Sequence, residues 1–440
     1  MHRRKGNKPR SSGTMAVWFL LVILFVGAVD LFPLLFHKDV SSSTSSVNLE
    51  NFQSQNEAQG KTPAQTPIGI PEWMQAHVRF QNQWVQSESG LSDSTDFTLR
   101  QSNRKRPPLL VWNCPTRGSC GGLGDRLYGI IMGLFIAMLT QRIFLVQEWK
   151  IKDVAHPLWD YVQPSHLHYR VALPPRDSSD FGVLSLVDNR QHPVLLEPCE
   201  LQPDKRDYFL RNNLMTYEPQ LTNSACLKDY WKASSVTHIN DNHSLAFIGF
   251  HTLFRFTQRA HQKSRLLLQE AKILAPSDAI LPQYIGMHVR TGQGTTWHDP
   301  ERHTGTANLE RFGKCALQLQ RAVAAKCGTN PSIYVAADNH EVKEFLLNNY
   351  GKEGSLKFVT DKEILHIDRS KLDLIDNVRD AYDFLWTELK VLVDATCLVM
   401  SRSKISTLAT DLNPQYPRCA VYFDECSDEQ VQQAARSLPC

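Results

Sequence analysis

The sequence predicts an α/β protein: two doubly wound, Rossmann-type domains that face a cleft, behind an N-terminal transmembrane helix and a stem. Three observations predict it. From Arg106 onward, short apolar runs alternate with longer helical patterns, as parallel strands joined by crossover helices do. The alternation starts near Leu109 and restarts near Tyr284, with a stretch of unclear period between. Ahead of it lie one long apolar segment and a polar tract too poor in apolar residues to bury a core.

The apolar segment runs from Met15 to Phe36. Its first fifteen residues carry no charge, and Asp30 and Pro33 lie near its far end. A spanning helix needs about 20 apolar residues, a length reached here with Asp30 at the interface. Arg3, Arg4, Lys5, Lys8 and Arg10 precede the segment, whereas Lys38 and Asp39 cancel after it. The positive flank stays cytosolic. The reading is a cytoplasmic tail over 1–14, a retained signal anchor over 15–36 and a lumenal stem over 37–106, hence a single-pass type II membrane protein. A cleaved signal peptide is the alternative, but no small-x-small cleavage pattern follows the segment. Inside the stem, Pro71 to Gln86 places Trp73, Val78, Phe80 and Trp84 as a short amphipathic helix would, packing on the body or on a second copy in a homodimer.

In the body, Leu109–Asn113 reads as a buried strand. The glycine-rich turn CPTRGSCGGLG follows, then a helix over Asp125–Arg142 and a strand over Ile143–Trp149. Residues 150–270 show only a helix near Gln258–Leu274. The second series has strands at Tyr284–Arg290, Ser332–Asp338, Leu356–Thr360, Cys397–Ser401 and Cys419–Asp424. Between them lie helices at Asn308–Lys326, Glu341–Tyr350, Val378–Ala395 and Thr407–Leu412. The domains are set at 107–275 and 276–440, with a ligand cleft between them.

Charge and cysteines narrow the class. Residues 1–38 hold six of the 48 basic residues and one of the 45 acidic ones, leaving 42 basic against 44 acidic elsewhere. Such a body has no basic field for nucleic acid. All ten cysteines lie beyond the anchor, and an even number in an oxidising lumen reads as disulfides. Cys114 with Cys120, or Cys419 with Cys426, would close short loops. Cys315 and Cys327 share a helix twelve residues apart, about 18 Å and too far to bond. No cysteine or histidine spacing suits zinc. Asn242-His243-Ser244 is a glycosylation sequon.

Three loops at strand C-termini have the make-up of an anion site. In Gly121–Arg126, glycines such as Gly122 and Gly124 let amides approach a ligand at a helix start, and Asp125 and Arg126 fall in the first turn, toward the cleft. His288 and Arg290 share one face at the end of their strand, and arginine pairs with phosphate through two parallel N–H donors. Ser401–Thr407 offers the hydroxyls of Ser403 and Ser406 before another helix. Helix capping by Asp125, Ser403 or Ser406, and a plain ion pair for Arg290, are the blander alternatives. No Asp-x-Asp occurs, so neither a metal nor another cofactor is expected.

These segments resemble the GDP-fucose-dependent fucosyltransferases of the GT-B superfamily, the group of α-1,2-, α-1,6- and protein O-fucosyltransferases. GGLGDRLYGI at Gly121–Ile130 resembles their N-terminal glycine segment and IGMHVR at Ile285–Arg290 their His-x-Arg motif. Val335–Asp338 and Ser401–Ala409 resemble two later motifs, in the same order. The resemblance implies a GT-B-like fold and inverting, metal-independent transfer of fucose from GDP-fucose to a glycan or glycoprotein acceptor at the Golgi membrane. It implies that Arg290 grips the β-phosphate and that His288, Asp338 and Ser403 or Ser406 line the donor pocket. Gly122, Gly124, Asp125 and Arg126 would face the donor across the cleft, with Asp125 a candidate base. Thr291-Gly292-Gln293 departs from the group's charged follow-on, which leaves subfamily and acceptor open. Two other readings stand beside it. One is a Golgi sulfotransferase, with Pro115–Ser119 as its phosphosulfate loop in a single P-loop-like domain. The other is a catalytically inactive, sugar-binding membrane protein.

Overall fold

The computed structural model describes residues 69–87, 97–99, 107–114, 120–147, 150–151, 154–155, 158–169, 181–186, 207–212, 245–278, 280–294, 297–298, 306–351, 355–359, 362, 364–367, 370–371, 374–415 and 419–440. By its contacts the chain divides into Met1–Thr66 and Pro67–Cys440, and every described residue belongs to the second unit. The expected tail, anchor and first part of the stem, the Pro115–Ser119 loop and the Asn242 sequon lie outside the described residues. Among the described residues, no helix is long and apolar enough to cross a membrane.

Two parallel sheets organise the body. The first joins β1 (Leu109–Trp112), β2 (Ile143–Val146), β3 (Phe181–Leu186) and β4 (Asp207–Asn212) in the order β2-β1-β4-β3, every pair parallel. β1 and β2 are unbroken apolar runs because both faces are covered. On one face lies α1 (Glu72–Trp84), whose Phe80 and Trp84 pack near Leu109, Val111, Ile143 and Leu145. On the other lies α2 (Leu123–Leu139), apolar nearly all round and buried. α1 also closes the sheet's edge. Gln81, fully buried, accepts the Phe144 N–H at 2.8 Å and donates to the Phe144 carbonyl at 2.8 Å. One side-chain amide thus satisfies the Phe144 N–H and C=O on the outer edge of β2, where the Val146 N–H bonds the Tyr169 carbonyl. The amphipathic segment read inside the stem therefore packs on the body.

The second sheet joins β5 (Tyr284–Val289), β6 (Ser332–Ala337), β7 (Leu356–Lys357), β8 (Cys397–Met400) and β9 (Cys419–Tyr422) in the order β7-β6-β5-β8-β9, again all parallel. α5 (Thr306–Cys327), α6 (His340–Tyr350) and α9 (Asp428–Arg436) cover one face. α7 (Val378–Asp394) and α8 (Lys404–Asp411) cover the other. One apolar core runs from Leu110 and Trp112 through α2, α7 and α8 to Tyr284 and Leu398. It also takes in α3 (Leu245–Leu253) and α4 (Gln258–Glu270). The two sheets are thus joined by a shared middle layer.

Several elements differ from the sequence reading. β3, β4 and α3 fall in the stretch whose period was unreadable. β4 opens on Asp207, buried because its Oδ1 accepts the Leu109 N–H at 2.9 Å. A polar group that caps a neighbouring strand breaks the apolar run by which a buried strand is recognised. α8 begins at Lys404, not Thr407, because Ser403 caps it, its Oγ accepting the Ile405 N–H at 3.3 Å. α9 was not read at all; it buries only Val431 and Ala435, a narrow stripe. Of the disulfide alternatives, Cys114–Cys120 forms. Cys419 bonds Cys397, its register partner on the adjacent strand, rather than Cys426. Cys426 instead bonds Cys315, and Cys327 bonds Cys440. Proximity across the sheet outweighs proximity along the chain.

Candidate functional site

The strand order places the site. From β5 the chain moves outward to β6 and β7, then crosses back to β8 and β9 on the opposite side. The loops leaving β5 and β8 therefore part, and a crevice opens at their C-terminal ends, the place where open parallel sheets bind ligands. Here it is a pocket of about 770 Å³ of empty space, part of it open to solvent. His288 and Arg290 enter from β5, Ala337 and Asp338 from β6, and Ser403 and Lys404 from α8. Gly122, Gly124 and Asp125 enter from the start of α2.

Two helix starts converge on it. A Cβ on Gly124 would stand 2.8 Å from Lys404 Cβ, 3.0 Å from the Lys404 carbonyl carbon and 3.2 Å from Ile405 N. Only glycine lets the first turn of α2 lie this close to the first turn of α8. Both helix N-termini, with their first-turn amides and positive dipole ends, thereby serve one pocket. The turn before α2 also requires glycine: Gly121 sits at φ +75°, and a Cβ there would be 2.4 Å from Asp125 Cβ. Asp125 Oδ2 accepts the Gly122 N–H at 3.0 Å, the one half of a capping box that a glycine N-cap allows.

Arg290 is held in place. Its side chain is only 12% exposed, and Nη1 donates to Asp338 Oδ2 at 3.2 Å. The same carboxylate accepts the Thr291 N–H at 2.9 Å, the Thr291 hydroxyl at 2.7 Å and the Gly292 N–H at 3.0 Å. Asp338 therefore pins the 290–292 loop and aims Arg290. His288 is fixed from the other side, its Nδ1 2.7 Å from Ser406 Oγ and 3.2 Å from Ser401 Oγ. Burial, with Arg290 alongside, pulls the ring down to about 3, so His288 is a neutral hydrogen-bonding group at any physiological pH. Lys404 adds a second cation, its Nζ 5.4 Å from the centre of the Tyr128 ring.

Of the residues singled out from sequence, Gly122, Gly124, Asp125, His288, Arg290, Asp338 and Ser403 line this pocket. Arg126 and Ser406 do not. Arg126, expected to point into the cleft, is buried with Nε donating to the Gly121 carbonyl at 3.0 Å and Nη1 3.1 Å from Cys114 Sγ. It braces the glycine turn and the Cys114–Cys120 loop. Ser406 acts behind His288, fully buried. Three titratable lining residues among those described were not singled out from sequence. Lys404 directly follows Ser403, one of the two serines read as cap candidates, and the choice of Ser403 over Ser406 places it at the helix start. Glu388 interrupts the apolar stripe of Leu385, Leu389 and Leu392, and a charge on such a stripe is itself a signal. Its Oε1 accepts from the Tyr334 hydroxyl at 3.2 Å and pairs with the fully buried Lys343 at 3.6 Å. Burial raises its pKa, partly offset by Lys343. His366 carries no sequence signal; it lies in a short loop segment, Ile364–Ile367, without periodicity.

No protein-family model and no curated protein matches the chain. Among solved structures it is similar to the crystal structure of POFUT1 in complex with GDP. The identity is 14%, covering 72% of this chain and 99% of that one, at a TM-score of 0.37.

Proposed function

We propose that the protein is a glycosyltransferase that transfers fucose from GDP-fucose, with inversion and without a metal, to a hydroxyl of a glycan or glycoprotein. The observation that supports it is the convergence of two helix N-termini and Arg290 on one pocket at the switch point of the second sheet. Two amide-rich ends and a guanidinium match the two phosphates of a nucleoside diphosphate. In the reaction the acceptor oxygen bonds to C1 of the sugar as the bond from C1 to the β-phosphate oxygen breaks. The electron pair leaves on the phosphate, and the hydroxyl proton passes to a base. Negative charge gathers on the departing GDP, and Arg290, fixed beforehand by Asp338, is placed to neutralise it. Neutral His288, tied to Ser401 and Ser406, offers the donor a hydrogen bond without competing for charge.

Two parallel sheets also suit this reading better than a sulfotransferase, for which one P-loop-like domain is expected. With Met15–Phe36 as signal anchor, the reaction is placed on the lumenal side of the Golgi membrane. The test is to incubate the purified chain with radiolabelled GDP-fucose, other sugar nucleotides and a sulfate donor. GDP release and label transfer from GDP-fucose alone are expected. Turnover of the sulfate donor, or of no donor while GDP is bound, would reject it in favour of the sulfotransferase or the inactive binder.

A further inference from the structure

The transfer requires a base, and the pocket offers few candidates. Asp338 already accepts from Arg290, Thr291 and Gly292. Glu388 is committed to Lys343 and Tyr334. His288 has its Nδ1 held by two serines. Asp125 caps α2 through Oδ2, and a proton arriving there would cost the helix both its cap and a favourable charge at its positive end.

His366 remains. Its ring edge faces Gly122: a Cβ built on Gly122 would lie 3.5 Å from Nε2 and 3.6 Å from Cε1. Turning the ring over exchanges these two atoms, so a nitrogen stays on that edge in either orientation. The same point lies 3.8 Å from Asp125 Oδ2. The missing side chain of Gly122 thus leaves a space the size of one methyl or hydroxyl group, walled by an imidazole and a carboxylate.

We propose that this space receives the acceptor hydroxyl and that His366 is the base that takes its proton. The inference rests on the glycosyltransferase reading. The acceptor O–H proton moves to Nε2 of neutral His366 as the oxygen bonds to C1 and the electron pair leaves on GDP. The imidazolium then returns the proton to water. Imidazole is the side chain whose ordinary basicity lies nearest neutral pH, and Brønsted behaviour favours such a base. Asp125 beside it steadies the imidazolium as it forms.

The test uses His366→Ala, His366→Gln, Asp125→Asn and Gly122→Ala in the full chain. Transfer and GDP affinity are measured separately, and folding is checked by circular dichroism. His366→Ala and His366→Gln should lose about 10²–10⁴-fold in kcat at unchanged GDP affinity, and added imidazole should restore part of the His366→Ala rate. Gly122 has φ −68°, which any residue adopts, and its Cβ would make only ordinary contacts. Gly122→Ala should therefore fold and bind GDP, yet transfer poorly because the hydroxyl's place is filled. Wild-type kcat in a folded His366 variant overturns the inference while leaving the transferase reading intact. Asp125→Asn should lose transfer only in part, because the imidazolium loses its neighbouring carboxylate; a loss larger than that of His366→Ala also overturns the inference. A wild-type chain that neither binds GDP nor transfers sugar overturns the underlying reading, and the inference with it.

Discussion

Replacing Gly124 by alanine tests the geometry on which the anion site depends. The new Cβ would meet Lys404 Cβ at 2.8 Å and the backbone of Lys404 and Ile405 at 3.0 and 3.2 Å. Ordinary contacts begin near 3.5 Å, so α2 and α8 must part by roughly half an ångström or more. Backbone atoms cannot swing aside as a flexible side chain can. Overpacking of this kind costs about 1–3 kcal/mol, offset by up to about 1 kcal/mol because alanine favours the helix. A net loss of about 0–3 kcal/mol leaves the protein folded. Function is expected to suffer more, since a misplacement of about 1 Å can cost 10²-fold in rate. Gly133→Ala is the control. Its Cβ would crowd Phe144 at 2.8 Å and Leu210 at 3.0 Å, inside the core between α2 and the first sheet. Both variants would be titrated with GDP by calorimetry and unfolded in urea. Gly124→Ala should weaken GDP binding at least about tenfold, whereas Gly133→Ala should change stability alone. Equal GDP affinities for Gly124→Ala and wild type would refute the idea that α2 and α8 form one anion site.

Arg290→Lys and Arg290→Ala should stay folded, each losing about 10²–10³-fold in turnover, because one ammonium cannot copy two parallel N–H donors. Arg290→Ala should also weaken GDP binding, and near-normal kinetics in a folded variant would dismiss the phosphate assignment. Activity should persist in EDTA, since Arg290, Lys404 and two helix starts supply the positive charge; an absolute Mn²⁺ or Mg²⁺ requirement would count against it. Acid should destabilise the fold. Burial holds His77 and His261 down to about 4, the latter with Lys390 near, and His288 down to about 3. Unfolded histidine takes up its proton near pH 6.5, so the stabilisation is complete above about pH 6.5 and lost as pH falls toward about 4. The slope is up to about 1.4 kcal/mol per pH unit per histidine. A urea midpoint flat from pH 7 to pH 4.5 would contradict this.

Much of the framework was legible in the chain itself. β1, β2 and β8 are unbroken apolar runs, and β5 and β6 nearly so apart from His288 and Ser332, because both faces of a parallel sheet are covered, and covered faces leave their mark on sequence. Glycine, serine and arginine after such strands mark loops at their C-terminal ends. What the sequence left open follows from contacts between distant segments. Asp207 disguised β4 because its partner, Leu109, lies 98 residues away. Cys419 faces Cys397 only through strand register. Arg126 and Asp125 are neighbours in one helical turn, yet they part by roughly 100° around its axis, and packing sends one to the pocket and the other to Cys114. His366 reaches Gly122 across the pocket with no periodic pattern to announce it. Most of the parallel strands and the loops fit for an anion could be read from the chain, since each is a local property of residue type and period. Which residues meet depends on packing, because helix starts at 123 and 404 converge at Gly124, a contact that no local rule records.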